Sequence, residues 1–234
     1  MASPDYVAEL ILKPASDGRS CLCLSEKPPY RVSSGGYQPL YVDLRRFQSM
    51  PCQIEELTVL FHHKIVKLLT GEPGIHSDFS LYAIAATKSG GIVPADRIAQ
   101  KMVIPMITVS PKPKEHGLTG SIAGILEEGK NYLALDDITR TGGSVVKVIE
   151  AIRREDGIVT DALSVLDYGW PETARKFKEI DVTPHCLVDL PTLIAAAIRK
   201  GLINQHMASV IEEWQKDPWA WSEKQTVYGQ VDGL

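Results

Sequence analysis

The chain has 234 residues, of which 44% are hydrophobic and 23% charged, enough for one substantial core in an ordinary soluble domain. A net charge of −4 and a pI near 5.9 exclude a general binder of nucleic acid or acidic membrane, so an anionic ligand must be captured by a local arrangement. No apolar run reaches membrane-span length, the opening MASPDYVAEL lacks a basic segment followed by an apolar one, and Cys21, Cys23, Cys52 and Cys186 lack metal-ligand spacing. A cytoplasmic protein with reduced, structural thiols is expected.

Residues 5–12 suit a short helix or strand. The Pro, Ser and Gly content of 25–39 reads as loop, leading to a short strand at Tyr41–Leu44. Across 53–69, Ile54, Leu57, Leu60, Phe61, Ile65 and Leu68 recur at helical spacing, before Gly71 and Pro73. The adjacent His62 and His63 face different directions on such a helix and do not suggest a shared metal. Strands and helices then alternate. Strands are expected at 81–87, 102–109, 131–137, 162–168 and 185–190, and helices at 94–101, 143–154, 171–179 and from Pro191 to about Lys200. Strands joined by helical crossovers predict an α/β fold with a doubly wound, mainly parallel sheet. The domain is read as single: an N-terminal hood (1–50), the α/β core (51–204) and a tail (205–234). In the tail, a helix plus an irregular cap would pack Trp214, Trp219 and Trp221.

The stretch LALDDITRTGGS (133–144) carries the chemistry. A buried strand delivers Asp136 and Asp137 to the carboxyl edge of the sheet, where open parallel sheets bind ligands. The turn through Thr141, Gly142, Gly143 and Ser144 opens a helix, so its backbone N–H groups and the helix dipole suit a phosphate monoester. The carboxylates suit ribose hydroxyls, or a Mg²⁺ ion held by them. A strand end with capping Asp residues and a glycine turn is the other reading.

This stretch resembles the PRPP-binding signature of type I phosphoribosyltransferases: apolar residues, two acids, then small residues around Thr-Gly-x-Ser. It departs from the signature at Thr139 and Arg140. SPKPKEHGLTG (110–120) resembles the catalytic loop of orotate phosphoribosyltransferase, and RVSSGGYQPLYVDLR (31–45) resembles that family's N-terminal segment. Lys88, Ser89, Gly90 and Gly91 stand where type I enzymes place a pyrophosphate loop. The resemblance covers roughly residues 30–204.

It implies the type I phosphoribosyltransferase fold and transfer of phosphoribosyl from PRPP to a heterocyclic base, with Mg²⁺ as cofactor. Lys114 and His116 would stabilise the departing pyrophosphate, with Lys88, Ser89 and Gly90 beside them. Asp136 and Asp137 would hold ribose, and Thr141–Ser144 the 5′-phosphate. A catalytic loop shared across subunits implies a homodimer. The departures cluster on the base side, around Ser34, Tyr41, Arg140 and Tyr168. Ser33 stands where Lys is usual, Tyr168 where Arg is usual, and Ser110-Pro111 where Arg-Lys is usual. Arg140 could supply the lost cation, since a planar fork pairs well with a carboxylate. Orotate is the expected acceptor. Another nitrogen heterocycle, or a non-catalytic PRPP- or nucleotide-sensing protein, are the alternatives.

Overall fold

The computed structural model describes residues 3–25, 27–32, 36–70, 81–88, 90–110 and 122–229, the side chains of 226–229 excepted. In chain order it contains α1 (Pro4–Leu12), β1 (Leu22–Leu24), β2 (Tyr30–Arg31), β3 (Tyr37–Gln38), β4 (Leu40–Val42), a 3-10 turn (Leu44–Ser49), α2 (Pro51–Thr70) and β5 (Ala83–Thr87). There follow α3 (Ile92–Met102), β6 (Met106–Val109), β7 (Ile122–Ala123), β8 (Asn131–Thr139), α4 (Gly143–Arg154) and β9 (Ile158–Asp167). The chain continues with α5 (Pro171–Glu179), β10 (Thr183–Asp189), α6 (Leu190–Arg199), α7 (Gln205–Lys216) and α8 (Pro218–Gly229).

The main sheet has the order β10-β9-β8-β5-β6-β7, parallel except for β7, which pairs antiparallel with β6. Central β5 and the Tyr132–Leu135 part of β8 are almost wholly apolar and buried, as strands covered on both faces must be. Strand alternation sorts their side chains into two cores. Ile84, Ala86, Leu133 and Leu135 pack with α1, α2, α3 and α6. Ala83, Ala85, Tyr132 and Ala134 pack with Val145, Val148, Ile149 and Ile152 of α4 and Phe177 of α5.

The doubly wound reading stands, and α4 and α5 begin and end where the apolar spacing places them. Several boundaries differ, three of them for clear local reasons. Residues 102–105 do not join β6, because α3 runs to Met102 and ends on Val103 in the left-handed region (φ 56), with Ile104 N–H returning to Ala99 O at 3.0 Å. The strand expected at Tyr41–Leu44 is Leu40–Val42, and Leu44 starts the 3-10 turn. The tail forms two helices rather than a helix and an irregular cap, because Asp217 caps a second start: its Oδ1 accepts the Ala220 N–H at 2.9 Å, with Pro218 following. Trp214 and Trp221 are buried as expected, but Trp219 is exposed and only flanks Trp170, ring centroids 6.2 Å apart.

Among the described residues no helix is long and apolar enough to cross a membrane. The four cysteines are free thiols. Burial pushes Cys21 up to about 12, so it behaves as a small apolar side chain, whereas Cys52 is exposed.

Candidate active site

A cavity of about 490 Å³ lies beyond the carboxyl ends of β5 and β8, roofed by the hood strands. Its wall brings together Tyr41, Lys88, Gly90, Asp136, Asp137, Arg140, Thr141, Gly142, Gly143, Ser144 and Tyr168. Those are the candidate residues from four separate stretches of sequence. Ser34, Ser89, Lys114 and His116 lie outside the described residues.

β8 does not stop at the acids. Its pairing with β9 continues through Ile138↔Leu166 to Thr139↔Asp167, so Asp136 and Asp137 sit inside the strand and take opposite faces. The two carboxylates therefore separate in role. Asp136 is only 6% exposed; its Oδ1 accepts the Thr87 hydroxyl at 2.5 Å and the Asp137 N–H at 2.9 Å. Burial, and then the neighbouring Asp137 charge, hold the Asp136 carboxyl well above the usual carboxylate range. A side chain that buried and that occupied is a brace inside the strand edge. Both acids reach the cavity wall, Asp137 as the less buried of the two.

The Asp137 carboxylate stands against the backbone of Gly90, where a Cβ would overlap it. One residue on, a Cβ at Gly91 would meet Leu135 O at 2.6 Å and Thr87 Oγ1 at 2.8 Å. The glycine pair thus lets the loop after β5 lie directly on β8, with Lys88 on the cavity wall beside Asp137.

The turn after β8 is short. Gly142 takes a left-handed conformation (φ 71) before α4, and α4 has no side-chain cap at its N-terminus. First-turn N–H groups have no intrahelical partner, so Gly143, Ser144 and Val145 offer donors at the positive end of the helix dipole. All three line the cavity.

The opposite wall carries residues that sequence reasoning passed over. Gln38 is only 3% exposed and its Oε1 accepts from Arg140 Nη1 at 3.0 Å. Arg45 lines the cavity, donating from Nε to Asp43 at 2.7 Å and from Nη2 to the Tyr41 hydroxyl at 3.0 Å. Arg31 joins them. All three fall within the hood segment 31–45, where polar residues beside Tyr41 were the available signal. Burial lowers the Arg140 pKa and raises that of Tyr168, which stays a neutral phenol packed edge-on against Trp170 and Trp214. The position that carries Arg in the resembling family has here joined an aromatic core.

The sequence matches the family model "Phosphoribosyl transferase domain" over residues 74–165. An orotate phosphoribosyltransferase of Lactobacillus johnsonii is 30% identical over 203 residues, spanning 87% of this chain and 92% of the relative. The chain belongs to the orotate phosphoribosyltransferase family. Solved structures share the fold. Orotate phosphoribosyltransferase from Aeropyrum pernix superposes with a TM-score of 0.62 at 22% identity, covering 79% of this chain and 94% of that one. Leishmania donovani UMP synthase gives 0.73 at 18% identity and covers 92% of this chain, which spans 42% of that longer protein.

Within this orotate phosphoribosyltransferase family member, the donor set bears on a metal. Among the described residues no group of three His, Cys, Asp or Glu side chains could hold an ion unaided. Mg²⁺ is commonly held by one or two carboxylates together with substrate phosphates and waters. Asp137, open to the cavity, fits an ion that arrives with a pyrophosphate-bearing ligand.

Proposed function

We propose that this phosphoribosyltransferase moves the 5-phosphoribosyl group of PRPP onto orotate, forming the nucleoside 5′-monophosphate and pyrophosphate. The observation that carries the reading is one cavity in which an uncapped helix N-terminus, the Asp137 carboxylate and Lys88 meet below a half-buried arginine. The turn Thr141–Ser144 would take the 5′-phosphate. Asp137 would hold the ribose hydroxyls, with Asp136 fixing the strand edge behind it. Lys88, with the amides of Ser89 and Gly90, would face the pyrophosphate, joined by Lys114 and His116.

A ring nitrogen of the base bonds to C1 with inversion, the base loses the proton it carried there, and the C1–O bond breaks with its electron pair leaving on pyrophosphate. The transition state resembles an oxocarbenium ion, so the protein's contribution is position and charge. Mg²⁺, when bound, offsets the charge gathering on the departing oxygens. Lysines and histidine assist there, and Asp137 faces the positive ribose. Burial opposes ionisation of Asp136, so it would add less negative charge beside Asp137 than the sequence suggests.

The acceptor end favours an anion. Arg31 and Arg45 line the hood side of the cavity, and Arg140, at the start of the turn, is partly desolvated with its fork steadied by Gln38. A guanidinium so placed pairs well with a carboxylate, which orotate carries and most other bases lack. A homodimer that shares the 110–120 loop between subunits completes the proposal.

The test is pyrophosphate release from PRPP with Mg²⁺, first with orotate and then with a panel of other nitrogen heterocycles. Release with orotate supports the proposal. Release with a different base alone reassigns the acceptor, and PRPP binding with no release on any base identifies a sensor.

A further inference from the structure

The 5′-phosphate reading leaves open what holds the peptide groups of the 140–144 turn with their N–H bonds toward the cavity. Two carbonyls of that turn are gripped from behind by one face of α5. Thr173 Oγ1 donates to Arg140 O at 2.7 Å, and Lys176 Nζ donates to Thr141 O at 3.3 Å. Phe177, on the same face, lies under Gly142, where a Cβ would come within 3.1 Å of Phe177 Cε2 and 3.3 Å of Thr173 Cγ2. Residues 173, 176 and 177 share one side of a helix by their spacing, so a single helix face seats the turn.

A trans peptide is planar and points its N–H opposite to its C=O. Holding the Arg140 carbonyl toward α5 aims the Thr141 N–H away from α5. Holding the Thr141 carbonyl does the same for the Gly142 N–H. These two donors extend the set that the first turn of α4 provides.

We propose that Thr173 and Lys176 are positioning residues for phosphate recognition, setting the direction of the turn's amides from outside the cavity. The proposal rests on the reading of this turn as the 5′-phosphate site. Thr173 is 2% exposed and Lys176 is half-exposed, with Glu172 at 4.0 Å, and neither lines the candidate active-site cavity. Both act through the turn rather than by touching ligand. Lys176 adds a positive charge behind the turn, which strengthens anion binding at low ionic strength.

The test compares wild type with Thr173→Val, Thr173→Ser and Lys176→Met, reading the KM for PRPP, kcat, and the Kd for ribose 5-phosphate. Thr173→Val keeps the shape and removes the donor. It is expected to raise both KM for PRPP and Kd for ribose 5-phosphate about fivefold or more, with kcat within about twofold. Thr173→Ser is expected to recover most of the loss. Lys176→Met is expected to give a rise of about two- to threefold and a shallower dependence of the Kd on salt. Unchanged KM and Kd in Thr173→Val with a lowered Tm would overturn the proposal, as would a Thr173→Ser variant no better than Thr173→Val. If Thr173→Val is recovered unfolded, Lys176→Met decides on the same readouts. Wild type that fails to bind ribose 5-phosphate at all would instead refute the phosphate reading itself.

Discussion

Two neighbouring glycines should fail in different ways when each gains one methyl group. At Gly91 the added Cβ would sit 2.6 Å from the main-chain oxygen of Leu135 and 3.1 Å from Thr87 N. Ordinary carbon–oxygen contact begins near ~3.3 Å, so loop and sheet must part by roughly 0.7 Å, and such overpacking against backbone costs about 1–3 kcal/mol. At Gly90 the obstruction is the Asp137 carboxylate, a side chain at the cavity edge that can swing aside. Fold stability should then fall little, while the carboxylate assigned to ribose is displaced by about 1 Å or more, a shift that can cost on the order of 100-fold in rate. Gly91→Ala is therefore expected to lower Tm, and Gly90→Ala to keep Tm and lose kcat/KM for PRPP. Thermal melts and initial rates on both variants check this. A Gly90→Ala enzyme of normal kcat/KM would refute the role given to Asp137.

Other expected outcomes follow from single contacts. Asp136 binds its proton more tightly folded than unfolded, so ionising it opposes folding: stability should fall as pH rises from the ordinary carboxylate range toward the raised folded pKa. Asp136→Asn should flatten that fall, and identical Tm–pH curves for variant and wild type would contradict it. Arg140→Ala should abolish orotate binding in titration calorimetry, and Gln38→Leu should weaken it by about tenfold while leaving PRPP binding alone. Val103, 90% exposed with φ 56, is strained without packing in return; Val103→Gly should raise stability by about 1 kcal/mol in urea melts. Trp214→Ala removes a side chain only 1% exposed at the centre of the Tyr168–Trp170 cluster and should cost about 3–5 kcal/mol in the same assay.

The sheet and its crossover helices were legible because apolar spacing is a local signal: α4 and α5 could be bounded from Val145, Val148, Ile149 and Phe177 and their neighbours. The turn before Ser144 was legible for the same reason, its glycines being adjacent in sequence. The opposite faces of Asp136 and Asp137 followed from strand alternation, but only once β8 was known to continue past them to Thr139. That extension is fixed by its register with β9, Ile138↔Leu166 and Thr139↔Asp167, which apolar spacing does not encode. Gln38 and Arg140 meet across 102 positions, and Thr173 reaches Arg140 O from 33 positions away. Neither pairing leaves a periodic trace. Trp219 looked like its neighbours in composition, and its exposure depends on where Asp217 restarts the tail as α8.

The most direct measurement is a crystal structure of the protein with PRPP and Mg²⁺. The account predicts the 5′-phosphate seated on the amides of Thr141–Ser144 and the ribose hydroxyls on Asp137, with Asp136 still against Thr87. A ligand phosphate bound elsewhere with that turn empty, or a ribose held by Asp136 instead, would contradict it.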